Sequence, residues 1–163
     1  MVKRKLKNAI LTSLILLVTL GSGPAFCQNH IKELDAVRTS MTELGSTMPA
    51  MIKSAKPVDL RTLERVFEIN TYALTTIEAY LKMIKVTLSS NGDINKDVVD
   101  VFNGWLEFMN KFCGKDIEYL DEALSETKDK PIVSVITRTK KNIQYLGDIT
   151  TRGIEENKKL IRF

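Results

Sequence analysis

The sequence predicts an all-α fold: an up-down-up-down bundle of four long antiparallel helices in a single domain. Three observations lead to this prediction. Apolar side chains recur at alternating steps of three and four residues, the spacing of one helix face. Prolines and an Asn-Gly pair divide the chain after residue 27 into four such stretches. The connections between the stretches are short, so neighbouring helices are expected to run antiparallel.

The first 27 residues have the pattern of a cleavable secretion signal. Four basic residues precede an apolar run at 9–20, and small residues follow at 21–25. About 20 apolar residues are needed to span a bilayer, so this run is short for a permanent anchor. We predict cleavage after Ala25 or after Cys27, and one helical domain over residues 28–163 that has no membrane span.

The charge of the mature chain disfavours nucleic-acid binding. Four of the 24 basic residues lie in the signal, so the remainder carries 20 basic and 20 acidic residues. Binding to phosphates requires a basic surface, which a nearly neutral chain does not supply. The chain also has no Asn-x-Ser/Thr glycosylation site, which favours a bacterial exported protein. We therefore expect a periplasmic or secreted location.

The first two helical stretches differ in regularity. In the first, Gly45 and Pro49 disturb the apolar spacing, so we expect a break or a kink there, with Ser46 or Thr47 capping a short second segment. The second is expected to begin at Asp59 as N-cap. Its apolar face is widened on one side by Val66, Ala73 and Tyr80. The seam of this helix, the row of core positions at alternating steps of three and four, is apolar except for one amide. It comprises Leu60, Leu63, Phe67, Asn70, Leu74, Ile77, Leu81, Ile84 and Leu88.

The third and fourth stretches complete the bundle. The fourth begins after Pro131, a residue that suits the first turn of a helix. The third is the most apolar of the four. Its broad face comprises Val98, Val101, Phe102, Trp105, Leu106, Phe108, Met109, Phe112 and Leu120.

Few residues suit catalysis or metal binding. The single histidine, His30, is expected to be exposed at a frayed N-terminus. No Glu-x-x-His pair, Cys-x-x-Cys-His motif, glycine-rich phosphate loop or EF-hand pattern occurs. The sequence therefore predicts no metal site, no cofactor and no catalytic residue.

The two cysteines, Cys27 and Cys113, depend on the cleavage site. Cleavage after Ala25 would allow a disulfide between them in an oxidising compartment. Cleavage after Cys27 would leave one thiol, and a lipid-modified Cys27 is a further alternative. Without a disulfide, Cys113 is interpreted as a small core residue.

Two features are candidates for a site. Asn70 interrupts an apolar seam, where it would set the register of the helices or lie at the edge of the core. The aromatic cluster of Phe102, Trp105, Phe108 and Phe112 would fill the core, or form a partner or ligand face.

The sequence predicts a non-enzymatic exported bundle that acts through contacts with an unknown protein partner or with itself. The alternative is a binder or sensor of a small apolar ligand, with a pocket between helices near Trp105 and Gly104.

Overall fold

The protein is a four-helix bundle, as the sequence predicts. The computed structural model describes residues 25–89 and 96–160, with side chains for residues 30–87 and 96–158. The helices are α1 (Ala25–Ser54), α2 (Pro57–Ser89), α3 (Lys96–Glu126) and α4 (Lys130–Leu160). Residues 1–24 lie outside the described residues, so the signal peptide stays a prediction. Within the described part of the chain, no helix is long and apolar enough to cross a membrane.

The four helices are not packed equally against one another. The most extensive interface joins α3 and α4, and α1 packs against both α2 and α4. By contrast, α2 makes few contacts with α3, although the two follow each other in the chain. The bundle is therefore closed on three sides and loosely closed on the side between α2 and α3.

The core repeats the helical spacing that the sequence shows. In α1 the apolar series of Leu34, Val37, Met41, Leu44 and Met48 is buried. Burying such side chains removes apolar surface from water, which is the main favourable contribution to folding. Larger fully buried side chains of the other helices include Leu63, Ile69, Ile77, Leu106, Met109, Leu120, Ile136 and Ile143.

The predicted break in α1 is wrong, because the helix runs unbroken through Pro49, whereas a kink at this proline stays a prediction. Leu44 and Met48 are buried on either side of the expected break and hold this segment against the core. The hydroxyls of Ser46 and Thr47 do not cap a new segment. They donate to carbonyls of the preceding turn, at 2.7 and 2.8 Å. Tertiary packing thus overrides the low helix propensity of proline.

The core-facing side of α2 is rotated from the predicted seam. Val66, Ala73 and Tyr80 are buried, whereas Phe67 and Leu74 are only half-buried. The rotation turns Phe67 away from the centre of the bundle and toward α3. The helix also begins at Pro57, so Asp59 lies in the first turn and the prediction that it is the N-cap is wrong.

Polar contacts fix α4 against its two main neighbours. Ser40 of α1 donates to Asn142 Oδ1 at 3.0 Å, and Asn157 donates to Asn103 Oδ1 of α3 at 2.8 Å. At the start of α4, the backbone N–H of Ile132 donates to Asp129 Oδ1 at 3.4 Å. Asp129 therefore caps the helix whose second residue is Pro131.

Candidate functional site: a groove between α2 and α3

The loosely closed side of the bundle contains a groove of about 640 Å³. Both walls are helical, so the lining side chains project from regular backbone at helical spacings. Most of the lining surface is apolar, and the charged groups come from one end of each wall. The lining residues are Arg65, Phe67, Glu68, Ile69, Thr71, Tyr72 and Thr75 of α2 with Phe112, Lys115 and Asp116 of α3.

An aromatic row crosses the groove and continues along α3. The rings of Tyr72 and Phe112 are 4.7 Å apart between centroids, and those of Tyr72 and Phe108 are 6.5 Å apart. Trp105 extends the row beyond the groove, with its ring 6.4 Å from that of Phe108. Contacts at these distances are favourable aromatic pairs.

The predicted aromatic cluster therefore divides into two parts. Phe102 is buried in the core, where its ring lies 6.1 Å from that of Tyr80 of α2. Trp105 and Phe112 are half-buried, and Phe108 is 48% exposed. The groove lies beside Phe112, about two helical turns beyond the pocket expected near Trp105.

Asp116 is the deepest charged residue of the groove and was missed by the sequence analysis. Only 4% of its surface is exposed. Its place could have been found, because it continues the buried series of Met109, Cys113 and Leu120 at steps of three and four. The predicted core of α3 included only apolar residues, and it therefore omitted the charged residue at this core position.

The carboxylate of Asp116 is poorly compensated. Its Oδ1 lies 3.8 Å from Arg65 Nη2, which is too long for a hydrogen bond. Its Oδ2 is buried and accepts no hydrogen bond from the described residues. Burial raises the pKa of Asp116, and the positive charge of Arg65 partly offsets this shift. Desolvation thus outweighs the ion pair.

Arg65 divides its interactions among three groups at the rim of the groove. It forms an ion pair with Glu68 at 3.1 Å, and its guanidinium lies 5.8 Å from the ring centroid of Tyr119. Its side chain is half exposed. Because it is shared and solvated, Arg65 contributes only a weak interaction to Asp116.

Asn70 lies inside the core and not at its edge. It is 1% exposed, and its Nδ2 donates to the backbone carbonyl of Met41 at 2.9 Å. This bond joins α2 to α1 on the side of α2 away from the groove. A role of Asn70 in setting the register of these helices stays a prediction.

The remaining sequence candidates lie apart from the groove lining. Cys113 is a buried thiol whose pKa is raised to about 12, first by burial and then by the charge of Asp116. The side chain of Cys27 lies outside the described residues, so the disulfide stays a prediction. His30 is 8% exposed beside Gly153 of α4, so the expectation of an exposed histidine is wrong. The described residues contain no group of three or more His, Cys, Asp or Glu placed to hold a metal.

Comparisons of the chain with protein-family models, with curated proteins and with solved structures found no match. The groove itself therefore carries the functional argument. It combines an apolar surface with one deep carboxylate and a charged rim, an arrangement suited to holding a molecule that is mostly apolar.

Proposed function

We propose that the protein is a binding module that holds a small, mostly apolar molecule in the groove between α2 and α3. One observation carries this proposal: the groove of about 640 Å³ lies where two consecutive helices make few contacts. Ligand sites usually measure about 300–1,000 Å³, with mostly apolar walls and a few polar groups. The predicted export of the chain would bring it to this ligand outside the cytoplasm.

Binding is favoured over catalysis by the condition of the polar groups. Glu68 is exposed and paired with Arg65, and Asp116 is set deep in the wall. Burial raises the pKa of the Cys113 thiol to about 12, which favours the protonated form, a poor nucleophile.

Filling the groove tests the proposal. In a Thr75→Trp variant, the new indole would project from the α2 wall into the groove. The matched control is Thr137→Trp, which places an indole on the exposed face of α4. Isothermal titration calorimetry would be run with decan-1-amine, decan-1-ol and decanoate as probes. We expect at least one probe to bind the wild type and the control and to bind Thr75→Trp at least about tenfold more weakly.

The proposal fails if no probe binds the wild type, or if Thr75→Trp binds every probe as tightly as the control. Circular dichroism of both variants would establish that each retains the helical fold. Because both substitutions are at exposed threonines, a general effect of an added indole would appear equally in the two.

A second candidate function, contact with a partner protein, is favoured by the exposed apolar side chains of α3 beyond the groove. Phe108 is 48% exposed, and Val101, two helical turns before it, is 54% exposed. Exposed apolar side chains in a row are typical of surfaces that receive an amphipathic helix. A photo-cross-linking residue at position 108 should then capture a protein, whereas the same residue at Tyr145 of α4, itself 41% exposed, should not.

A further inference from the structure

Asp116 indicates the chemistry of the ligand, if the groove binds one as proposed above. Asp116 occupies a core position of α3, where the flanking members of the series, Cys113 and Leu120, are apolar. A carboxylate here costs stability, because its buried Oδ2 has no donor among the described residues. Packing gives no reason for an acid at this position, but the groove does, because Asp116 forms part of its wall.

We propose that the groove selects apolar molecules that carry an amine or a hydroxyl group, and that Asp116 accepts the hydrogen bond from this group. The apolar body of the ligand lies against Phe67, Tyr72 and Phe112, whose rings line the same groove. The N–H or O–H donor points to the inner wall, where Asp116 lies. The buried Oδ2, which has no donor among the described residues, meets this group when the carboxylate turns toward the groove. Selection thus follows from the single deep polar group and not from the groove's size.

The charges at the rim do not favour the opposite choice, a ligand with an acidic head group. Arg65 is half exposed and already paired with Glu68 at 3.1 Å, and Lys115 is exposed to water. Exposed cations contribute little because water screens them. An acidic head group placed deep in the groove would face the carboxylate of Asp116, and two like charges at short range repel strongly.

The test compares three probes that share a ten-carbon chain and differ only in the head group. Decan-1-amine, decan-1-ol and decanoate would be titrated calorimetrically into the wild type, Asp116→Leu and a matched control, Glu118→Leu. Glu118 is an exposed carboxylate of α3 outside the groove. We expect the wild type and the control to bind the amine, the alcohol or both at least about tenfold more tightly than decanoate, the effect of one hydrogen bond to a charged group.

In Asp116→Leu this preference should fall to less than about threefold, while the apolar chain still binds. Asp116→Asn is the second variant, because it keeps the size and an acceptor oxygen but removes the charge. It should lose any preference that the wild type has for the amine over the alcohol. Preference for the amine alone or the alcohol alone supports the inference and identifies the donor.

Three outcomes would overturn the inference. Equal binding of all three probes by the wild type, or tightest binding of decanoate, would show that Asp116 does not select the head group. An unchanged preference in both Asp116 variants would show the same. All of these leave the proposed binding function standing, whereas the absence of binding by any probe would remove both proposals.

Discussion

Asp116 lies in a series of α3 that is otherwise apolar, with Met109 and Cys113 before it and Leu120 after it. Replacing it with leucine removes a buried oxygen that has no donor among the described residues. We expect Asp116→Leu to raise the free energy of unfolding by about 1–3 kcal/mol, the usual cost of such a buried polar group. Urea denaturation at pH 7 measures the change. A loss of stability would mean that the carboxylate contributes a favourable contact in the folded protein.

The same pair of proteins gives a pH prediction. Burial raises the pKa of Asp116 above its ordinary value of 3.8, so the folded state holds this proton more tightly than the unfolded chain. The wild type therefore loses stability as pH rises through the interval between the two pKa values. The advantage of Asp116→Leu should be full above the raised pKa and should shrink as pH falls toward 4. Urea denaturation at several pH values checks this, and a difference that grows on acidification would contradict it.

The reactivity of the Cys113 thiol independently measures how readily α3 separates from α4 close to Asp116. It is 1% exposed and its pKa is raised to about 12, so the reactive thiolate is scarce at pH 8. In a Cys27→Ser variant, we expect Ellman's reagent to react with Cys113 at least a hundredfold more slowly in the folded protein than in urea. Fast reaction of the folded protein would show that α3 separates readily from α4.

Among the elements, the glycines in the helices differ in what surrounds them. A Cβ added at Gly114 of α3 would meet nothing within 4 Å, whereas one added at Gly45 of α1 would lie 3.1 Å from Asn70 Nδ2. Glycine costs a helix about 1 kcal/mol relative to alanine. We expect Gly114→Ala to stabilise the protein by about 0.5–1 kcal/mol in urea denaturation.

Gly45→Ala is the matched substitution and should give no such gain. Its Cβ would press on the amide that donates to the carbonyl of Met41 at 2.9 Å, and this bond joins α1 to α2. Equal stabilisation by the two substitutions would show that the Asn70 amide moves aside at no cost.

The helices themselves follow from periodicity, and their number and class are predicted correctly. The errors arise where a local signal competes with packing. Gly45 and Pro49 are poor helix formers, but buried Leu44 and Met48 keep α1 continuous. Similarly, the seam of α2 is consistent with two rotations of the helix, and only the neighbours decide that Phe67 lies in a groove.

At the scale of the whole molecule, the groove could not be predicted from the sequence. Its existence depends on the unequal spacing of the four helices, and helical periodicity gives the faces of each helix but not the distances between helices. The position of Asp116 in the groove wall could not be predicted for the same reason. Its step in the α3 series places it in the core, but only the assembled bundle shows that the core is open beside it.

The unequal packing also predicts which part of the bundle opens first. The interface of α3 with α4 is the most extensive, whereas α2 is held mainly by α1 and contacts α3 and α4 little. Regions with fewer packed neighbours open at lower free energy. We therefore expect native-state hydrogen exchange to show the core amides of α2 exchanging at least about tenfold faster than those of α3 and α4. A ligand in the groove would bridge α2 to α3, so a saturating concentration of the probe that binds most tightly should slow exchange in α2 more than in α4. Uniform exchange in all four helices would mean that the bundle opens only as one cooperative unit and that the loose side is not a separate point of weakness.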